Sequence, residues 1–256
     1  MQQDRKLRRI EDKIDEFRQR IRDSDERKVL ESVFDDATLK ALYRLASKGH
    51  FDAMGGSIAT GKEANVFHAI RKDDVETELA VKIYRISTSN FRAMSEYIAG
   101  DRRFDIGHDR KDLVVAWTRK EFKNLKAAEA AGVRVPRAIV TERNILVMEF
   151  IGRGGAPAPQ LKDIELDEST ARKLFARIVG YMRLLYMNDL VHADLSEYNI
   201  MVMDGEPVFI DMGQSLTLEH TNAQEFLRRD ARNIARFFAK HGVACTEDTI
   251  LSEILK

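Results

Sequence analysis

The stretch 190–215 constrains this chain more than any other. The apolar runs Ile200–Met203 and 208–210 flank Asp204-Gly205, a dipeptide favoured in two-residue hairpin turns. A hairpin there brings Asn199 and Asp211 side by side at its open end. Both side chains offer hard oxygen atoms, the ligands that Mg²⁺ prefers. Just upstream, His192-Ala193-Asp194 places a carboxylate five residues before Asn199, in a tight loop after a long apolar-faced helix. Phosphoryl transfer asks a protein mainly for positioning and charge compensation. In that chemistry Asp194 accepts or orients a hydroxyl proton, Asn199 turns its amide oxygen to a metal, and Asp211 supplies a carboxylate oxygen. His192 reads as a structural hydrogen-bonder, and Gly213 is expected to let the chain leave the strand sharply. Asp230 and Asn233 fall on the helix beyond; Asp230 reads first as an ordinary N-terminal helix carboxylate and second as a brace for the catalytic-loop backbone.

Upstream the period changes twice. Leu7, Ile10, Ile14, Phe17 and Ile21 are spaced 3, 4, 3, 4, which predicts a leading helix with one narrow apolar stripe. A second helix is predicted over 38–48, capped by Asp35 or Asp36 and ended by Gly49. Residues 64–70 and 78–84 read as strands joined by a polar turn. In the second strand Leu79, Val81 and Ile83 face one way, and Ala80, Lys82 and Tyr84 the other. Residues 86–113 show no period and read as a long functional loop. A helix is predicted over 116–131, closed by Gly132, then strands at 138–142 and 145–149, a Gly/Pro-rich connector at 152–159, and a helix over 168–187. From Asn222 the chain reads as helical.

The segment Gly56-Ser-Ile-Ala-Thr-Gly61-Lys62-Glu63 imitates half of a Walker loop, but Glu63 stands where that loop needs Ser or Thr, and a strand follows instead of a helix. It fits better as a flap over a nucleotide between two strands, with Thr60, Gly61, Lys62 and Glu63 at its tip. Lys82, within Leu79-Ala-Val-Lys-Ile, matches the strand lysine that holds nucleotide phosphates in kinases. Glu121 is the expected carboxylate partner, with Glu129 as the alternative. Glu149, Phe150 and Ile151 end a strand where adenine would bond to backbone groups.

The 256 residues carry 42 Lys+Arg against 42 Asp+Glu, so no global charge argues for nucleic acid. The single cysteine, Cys245, excludes an internal disulfide. No apolar run approaches the length of a membrane span, and the first residues lack the apolar core of a signal peptide. The expectation is a cytoplasmic protein with no membrane partner. The charge-rich composition suits an archaeal source.

Taken together, Ala59-Thr-Gly-Lys-Glu-Ala-Asn-Val-Phe67, Leu190-Val-His-Ala-Asp-Leu-Ser-Glu-Tyr-Asn199 and Ile210-Asp-Met-Gly-Gln-Ser215 resemble the RIO family of atypical serine/threonine protein kinases, its first subgroup above all. The resemblance covers about residues 30–256. It implies an α+β, bilobal protein-kinase-like fold with a reduced C-lobe, preceded by N-terminal helices. The expected domains are a helical extension (1–50), an N-lobe (51–151) with a flexible loop at 86–113, and a C-lobe (152–256) without an activation segment or peptide-binding helices. It also implies ATP with Mg²⁺ or Mn²⁺, serine autophosphorylation at Ser87, Ser89 or Ser95, and action on a pre-small-subunit ribosomal particle. By the same resemblance Asp194 is the catalytic aspartate, Asn199 and Asp211 bind metal, Lys82 holds phosphates, and Met148 guards the back of the adenine pocket. An ATPase cycle with Asp211 as transient nucleophile is a second expectation. A small-molecule kinase of the aminoglycoside or choline type is the alternative class.

Overall fold

The computed structural model describes residues 35–86, 91–99, 101, 103 and 109–256. The leading-helix expectation and the candidate serines Ser87 and Ser89 lie outside these residues. The first described element is helix α1 (Asp36–Ser47). Asp35 caps it, its carboxylate accepting the Thr38 N–H at 2.7 Å. Gly49 follows at φ 75°, a left-handed backbone that glycine adopts without a Cβ clash.

Strands β1 (Ala53–Thr60), β2 (Ala64–Lys72), β3 (Glu76–Tyr84), β4 (Ala138–Glu142) and β5 (Ile145–Glu149) form one sheet in the order β1-β2-β3-β5-β4. The alternation read in β3 is realised. Leu79, Val81 and Ile83 join Phe67, Ala69, Ile145 and Val147 in a core closed by Ala41, Leu42 and Leu45 of α1. Burying each of these larger aliphatic side chains contributes about 1.5–3 kcal/mol, which is why α1 covers this face. Buried Asn144, in the β4–β5 turn, donates to the Tyr84 carbonyl at 2.8 Å and to the Thr38 hydroxyl at 3.2 Å. β1 pairs with β2 through two register irregularities near Ser57, and its Gly55-Gly56 pair blurs any alternation in the sequence.

Beyond the sheet come α2 (Phe91–Ala99), α3 (Arg110–Ala130), the short hairpin β6 (Gly152–Arg153) and β7 (Ala156–Pro157), α4 (Glu168–Met187), the hairpin β8 (Ile200–Met203) and β9 (Glu206–Phe209), α5 (Ala223–Ala239) and α6 (Glu247–Ile254). The long loop expected over 86–113 is partly helical. Met94 and Ile98, one turn apart in α2, are buried, and Tyr97 stacks on Phe226 with ring centroids 5.2 Å apart. α3 starts six residues before the expected Ala116 because Asp109 caps it, accepting the N–H groups of Lys111 (2.5 Å) and Asp112 (3.0 Å). That first turn is exposed and charged, so it has no apolar period to read. The connector expected at 152–159 contains the β6–β7 hairpin.

The chain divides into two compact units: Met1–Ser89 with Ile139–Met148, and Asn90–Ala138 with Glu149–Lys256. Residues 90–138, expected in the first lobe, thus group with the second unit. Helix α3 accounts for this, since its Lys120 and Asn124 bond to backbone carbonyls of 212–215. Within the second unit, Leu174, Ile178, Met182 and Leu185 of α4 and Leu227, Ile234 and Phe238 of α5 are buried. The Tyr181 ring of α4 stands edge-on to Phe209 of β9, with centroids 5.6 Å apart.

Candidate active site

The loop 192–215 is closed at its base by an isolated bridge between Val191 and Leu216, with N···O distances of 2.9 and 3.0 Å. Within it, β8 and β9 pair from Ile200↔Phe209 to Met203↔Glu206, around Asp204 (φ 55°) and Gly205 (φ 79°). Two successive positive φ values give the primed turn that matches strand twist. The Ile210 N–H donates to the Asn199 carbonyl at 3.0 Å. Asn199 therefore stands opposite Ile210, and Asp211 lies one residue beyond the pair.

Asp211 itself has φ 62°. The sharp exit from the strand expected at Gly213 thus falls on Asp211, a strained position for a residue with a Cβ. Gly213 serves another purpose. A Cβ there would stand 3.0 Å from Trp117 Nε1 and 3.2 Å from two further indole atoms, so its bare Cα allows α3 to pack close.

Asp194 sits half-buried, while Asp211 is exposed. The Asn199 amide nitrogen donates to the Asp194 carbonyl (2.7 Å) and to Asp194 Oδ2 (3.1 Å). With its nitrogen so committed, Asn199 keeps Oδ1 as its acceptor atom. Gln214 Nε2 also donates to Asp194 Oδ2, at 3.1 Å. Burial and the neighbouring charge of Asp211 push the Asp194 carboxyl upward, opposed by Arg229 and by the Asn199 hydrogen bond. The two carboxylates are therefore close enough to repel. A divalent cation relieves such repulsion, so the donor set of Asn199 Oδ1 and the Asp211 carboxylate fits Mg²⁺. Among the described residues no group of three or more His, Cys, Asp or Glu side chains offers a metal cage. Mg²⁺ needs none, since it ordinarily keeps waters and substrate phosphates as ligands.

The loop backbone is held from α5. Asp230, fully buried, accepts the Ala193 N–H through Oδ2 (2.8 Å) and the Leu195 N–H through Oδ1 (2.9 Å), as expected of a brace. Asn233 donates to the Leu195 carbonyl at 3.1 Å, and Arg229 donates to the Ala193 carbonyl. Burial pushes the Asp230 carboxyl up to about 8, against the pull of its two N–H donors and Arg229. His192 is buried, and its Nε2 lies 3.1 Å from the Ile210 carbonyl, so it is a structural hydrogen-bonder. Burial holds its imidazole down to about 4, hence neutral.

Sequence reasoning missed Gln214, Lys120 and Asn124. Lys120 donates to the carbonyls of Gly213 (2.9 Å) and Ser215, and Asn124 to those of Met212 and Ser215 (both 2.8 Å). Burial pulls the Lys120 ammonium down to about 7 despite the nearby Asp101 carboxylate. The signal available was their i,i+4 spacing on α3.

In the first unit, the tip between β1 and β2 carries Thr60, Gly61, Lys62 and Glu63. The Gly61 N–H donates to the Ala64 carbonyl (2.9 Å), and the Arg85 N–H to the Glu63 carbonyl (2.8 Å). Buried Asn65 donates to Thr60 Oγ1 (3.2 Å) and accepts from Arg85 Nε (2.8 Å), two residues the sequence reading did not single out. Lys82 is buried in β3 with its ammonium 5.1 Å from the Tyr84 ring centroid. Met148, at the end of this unit's β5, is half-buried. In the second unit Glu121 is buried on α3, and Ile151 is buried beyond β5. The Glu149 carboxylate is taken by Arg134, at 2.8 and 2.5 Å. Burial raises the Glu149 carboxyl, but the Arg134 hydrogen bond and charge outweigh it and hold the group below the usual range.

A five-stranded sheet with a glycine-bearing β1–β2 tip and a buried strand lysine, and a helical unit carrying the Asp194 loop and the β8–β9 hairpin, define a protein-kinase-like fold. The RIO domain family model matches residues 65–250. The chain belongs to the RIO family, among its Rio1-type serine/threonine kinases. It is 50% identical over 248 residues to the RIO-type serine/threonine-protein kinase Rio1 of Haloferax volcanii, covering 96% of this chain and 84% of that one. Against the human serine/threonine-protein kinase RIO1 it is 39% identical over 229 residues, 88% of this chain but 40% of the human protein. The Rio2 kinase of Chaetomium thermophilum, solved as an ADP/Mg²⁺-phosphoaspartate complex, shares the fold at a TM-score of 0.66 and 22% identity, over 85% of this chain and 66% of that one.

Proposed function

We propose that this chain is an ATP- and Mg²⁺-dependent protein-serine kinase that phosphorylates itself and acts on a maturing small ribosomal subunit particle. The observation that supports the chemistry most is the half-buried Asp194 carboxylate, gripped at Oδ2 by two amides beside the exposed Asp211. Held so, Asp194 offers Oδ1 to an acceptor hydroxyl and takes or orients its proton. Asn199 and Asp211 would hold Mg²⁺, which would supply charge neutralisation at the nucleotide phosphates. By the family resemblance Lys82 is assigned to the nucleotide phosphates with Glu121 as its carboxylate partner, and Thr60, Gly61, Lys62 and Glu63 to the nucleotide flap. The backbone of Glu149 and Ile151 takes the adenine edge, with Met148 behind it. The ribosomal partner rests on the family resemblance alone, and the cytoplasmic location on the composition and patterning of the sequence.

A second reading has Asp211 accept the phosphoryl group itself, making the chain an ATP hydrolase. Its exposure favours this, and the neighbouring Rio2 structure carries a phosphoaspartate. Labelled ATP with purified protein separates the readings. Label that survives hydroxylamine and is recovered as phosphoserine marks the kinase, and label released by hydroxylamine, with excess free phosphate, marks the aspartyl route. Label passing to an aminoglycoside or choline instead would overturn both.

A further inference from the structure

We propose that Gln214 is a positioning residue for phosphotransfer: its side-chain amide clamps Asp194 through Oδ2 so that Oδ1 faces the acceptor. This deepens the phosphotransfer reading and rests on it.

A carboxylate on a loop can rotate about its last side-chain bond, and each orientation presents a different oxygen to the acceptor. Both protein amides that reach Asp194 converge on one atom. Asn199 Nδ2 and Gln214 Nε2 each lie 3.1 Å from Oδ2. Two donors on one oxygen fix the plane of the group and assign Oδ1 to the reacting hydroxyl. They also place partial positive charge beside a carboxylate that burial and Asp211 disfavour.

The two clamps differ in what holds them. Asn199 sits at the mouth of the β8–β9 hairpin. Gln214 is anchored through its neighbours: Lys120 bonds the carbonyl before it and the carbonyl after it, and Asn124 bonds those of Met212 and Ser215. The Ser215 N–H closes a turn onto the Met212 carbonyl at 3.2 Å, and Ser215 Oγ donates to the His192 carbonyl at 3.0 Å. The backbone at Gln214 is thus fixed from α3 on one side and from the catalytic loop on the other. Buried donors on both flanks are costly to leave unpaired, so Gln214 has little freedom to leave its place. Misplacement of a reacting group by about 1 Å can cost about 10²-fold in rate, which makes such a clamp matter for turnover.

The test uses the full chain and the variant Gln214→Met, which keeps length and removes the donor. The expected result is a fall in kcat of about 10- to 100-fold with the KM for ATP and the melting temperature unchanged. In an Asp194→Ala background the same substitution is expected to change residual turnover less than twofold. A kcat within twofold of wild type, or an equal loss in both backgrounds, would overturn the proposal. A second readout needs no turnover: the Gln214 side-chain NH₂ resonances in the wild-type protein, assigned by their loss in Q214M. A downfield, slowly exchanging proton that collapses to free-amide values in Asp194→Ala supports the clamp, and identical signals in both proteins refute it. A protein with no phosphotransfer but with that signature would sink the kinase reading and leave the clamp standing.

Discussion

Asp230 grips Ala193 from a helix 37 residues away in sequence, its Oδ2 accepting the Ala193 N–H at 2.8 Å while Ala193 holds φ 64°. The other oxygen takes the Leu195 N–H, so both neighbours of Asp194 hang on one buried carboxylate. Left-handed backbone at alanine costs about 1–3 kcal/mol, and this pair of buried hydrogen bonds offsets it.

Replacing Asp230 with alanine strands two buried N–H groups. The expected loss is about 2–5 kcal/mol of stability, with turnover falling further than the unfolded fraction explains. Urea denaturation alongside phosphotransfer assays checks both. A variant as stable and active as wild type would remove the brace from the account.

Asp194→Ala is expected to lower phosphotransfer by about 10²- to 10⁴-fold and leave nucleotide affinity close to wild type. Asp211→Ala is expected to abolish the Mg²⁺-dependent part of nucleotide binding. Calorimetric titration of ATP with and without Mg²⁺ distinguishes them. Wild-type turnover in either purified variant would contradict the role given to that residue.

At Gly213 the limit is space. A methyl group would meet the Trp117 ring at 3.0–3.2 Å. Gly213→Ala is therefore expected to destabilise by about 1–3 kcal/mol, read as a lower melting temperature and altered tryptophan fluorescence.

His192 makes stability depend on pH. Its imidazole is held down to about 4 in the fold by burial, against 6.5 unfolded. Between those values the unfolded chain binds a proton that the folded chain refuses, so the His192 contribution to stability falls as the pH drops from about 6.5 to 4, while Asp230, protonated in the fold up to about 8, works the other way. The full shift corresponds to about 3 kcal/mol. Denaturation curves across that range are expected to lose this slope in His192→Asn, and an unchanged slope would show that another group titrates.

Much of the architecture was legible in local pattern. The face of Leu79, Val81 and Ile83, the helix Glu168–Met187 and the Asp204-Gly205 turn follow from residue spacing and turn chemistry, and all three occur as read. The first turn of α3 escaped because it is exposed and charged and its Asp109 cap acts at one position, whereas α2 is short and was passed over although Met94 and Ile98 fall at helical spacing. Asp194, Asn199 and Asp211 were legible because a hairpin fixes which residues meet at its mouth.

What the residue order determined alone is the inventory and the short-range geometry: which oxygens flank the hairpin, which strand carries Lys82, where α4 starts and stops. Only the tertiary structure decided which distant groups hold that inventory in place. Lys120, Asn124 and Asp230 reach the site from helices far along the chain, and their bonding depends on packing that no local period encodes. The positive φ at Asp211 and the close approach of Trp117 to Gly213 belong to the same class. Spacing along a chain sets contacts within a turn or a hairpin, whereas contacts across 80 residues or more arise only when buried faces meet.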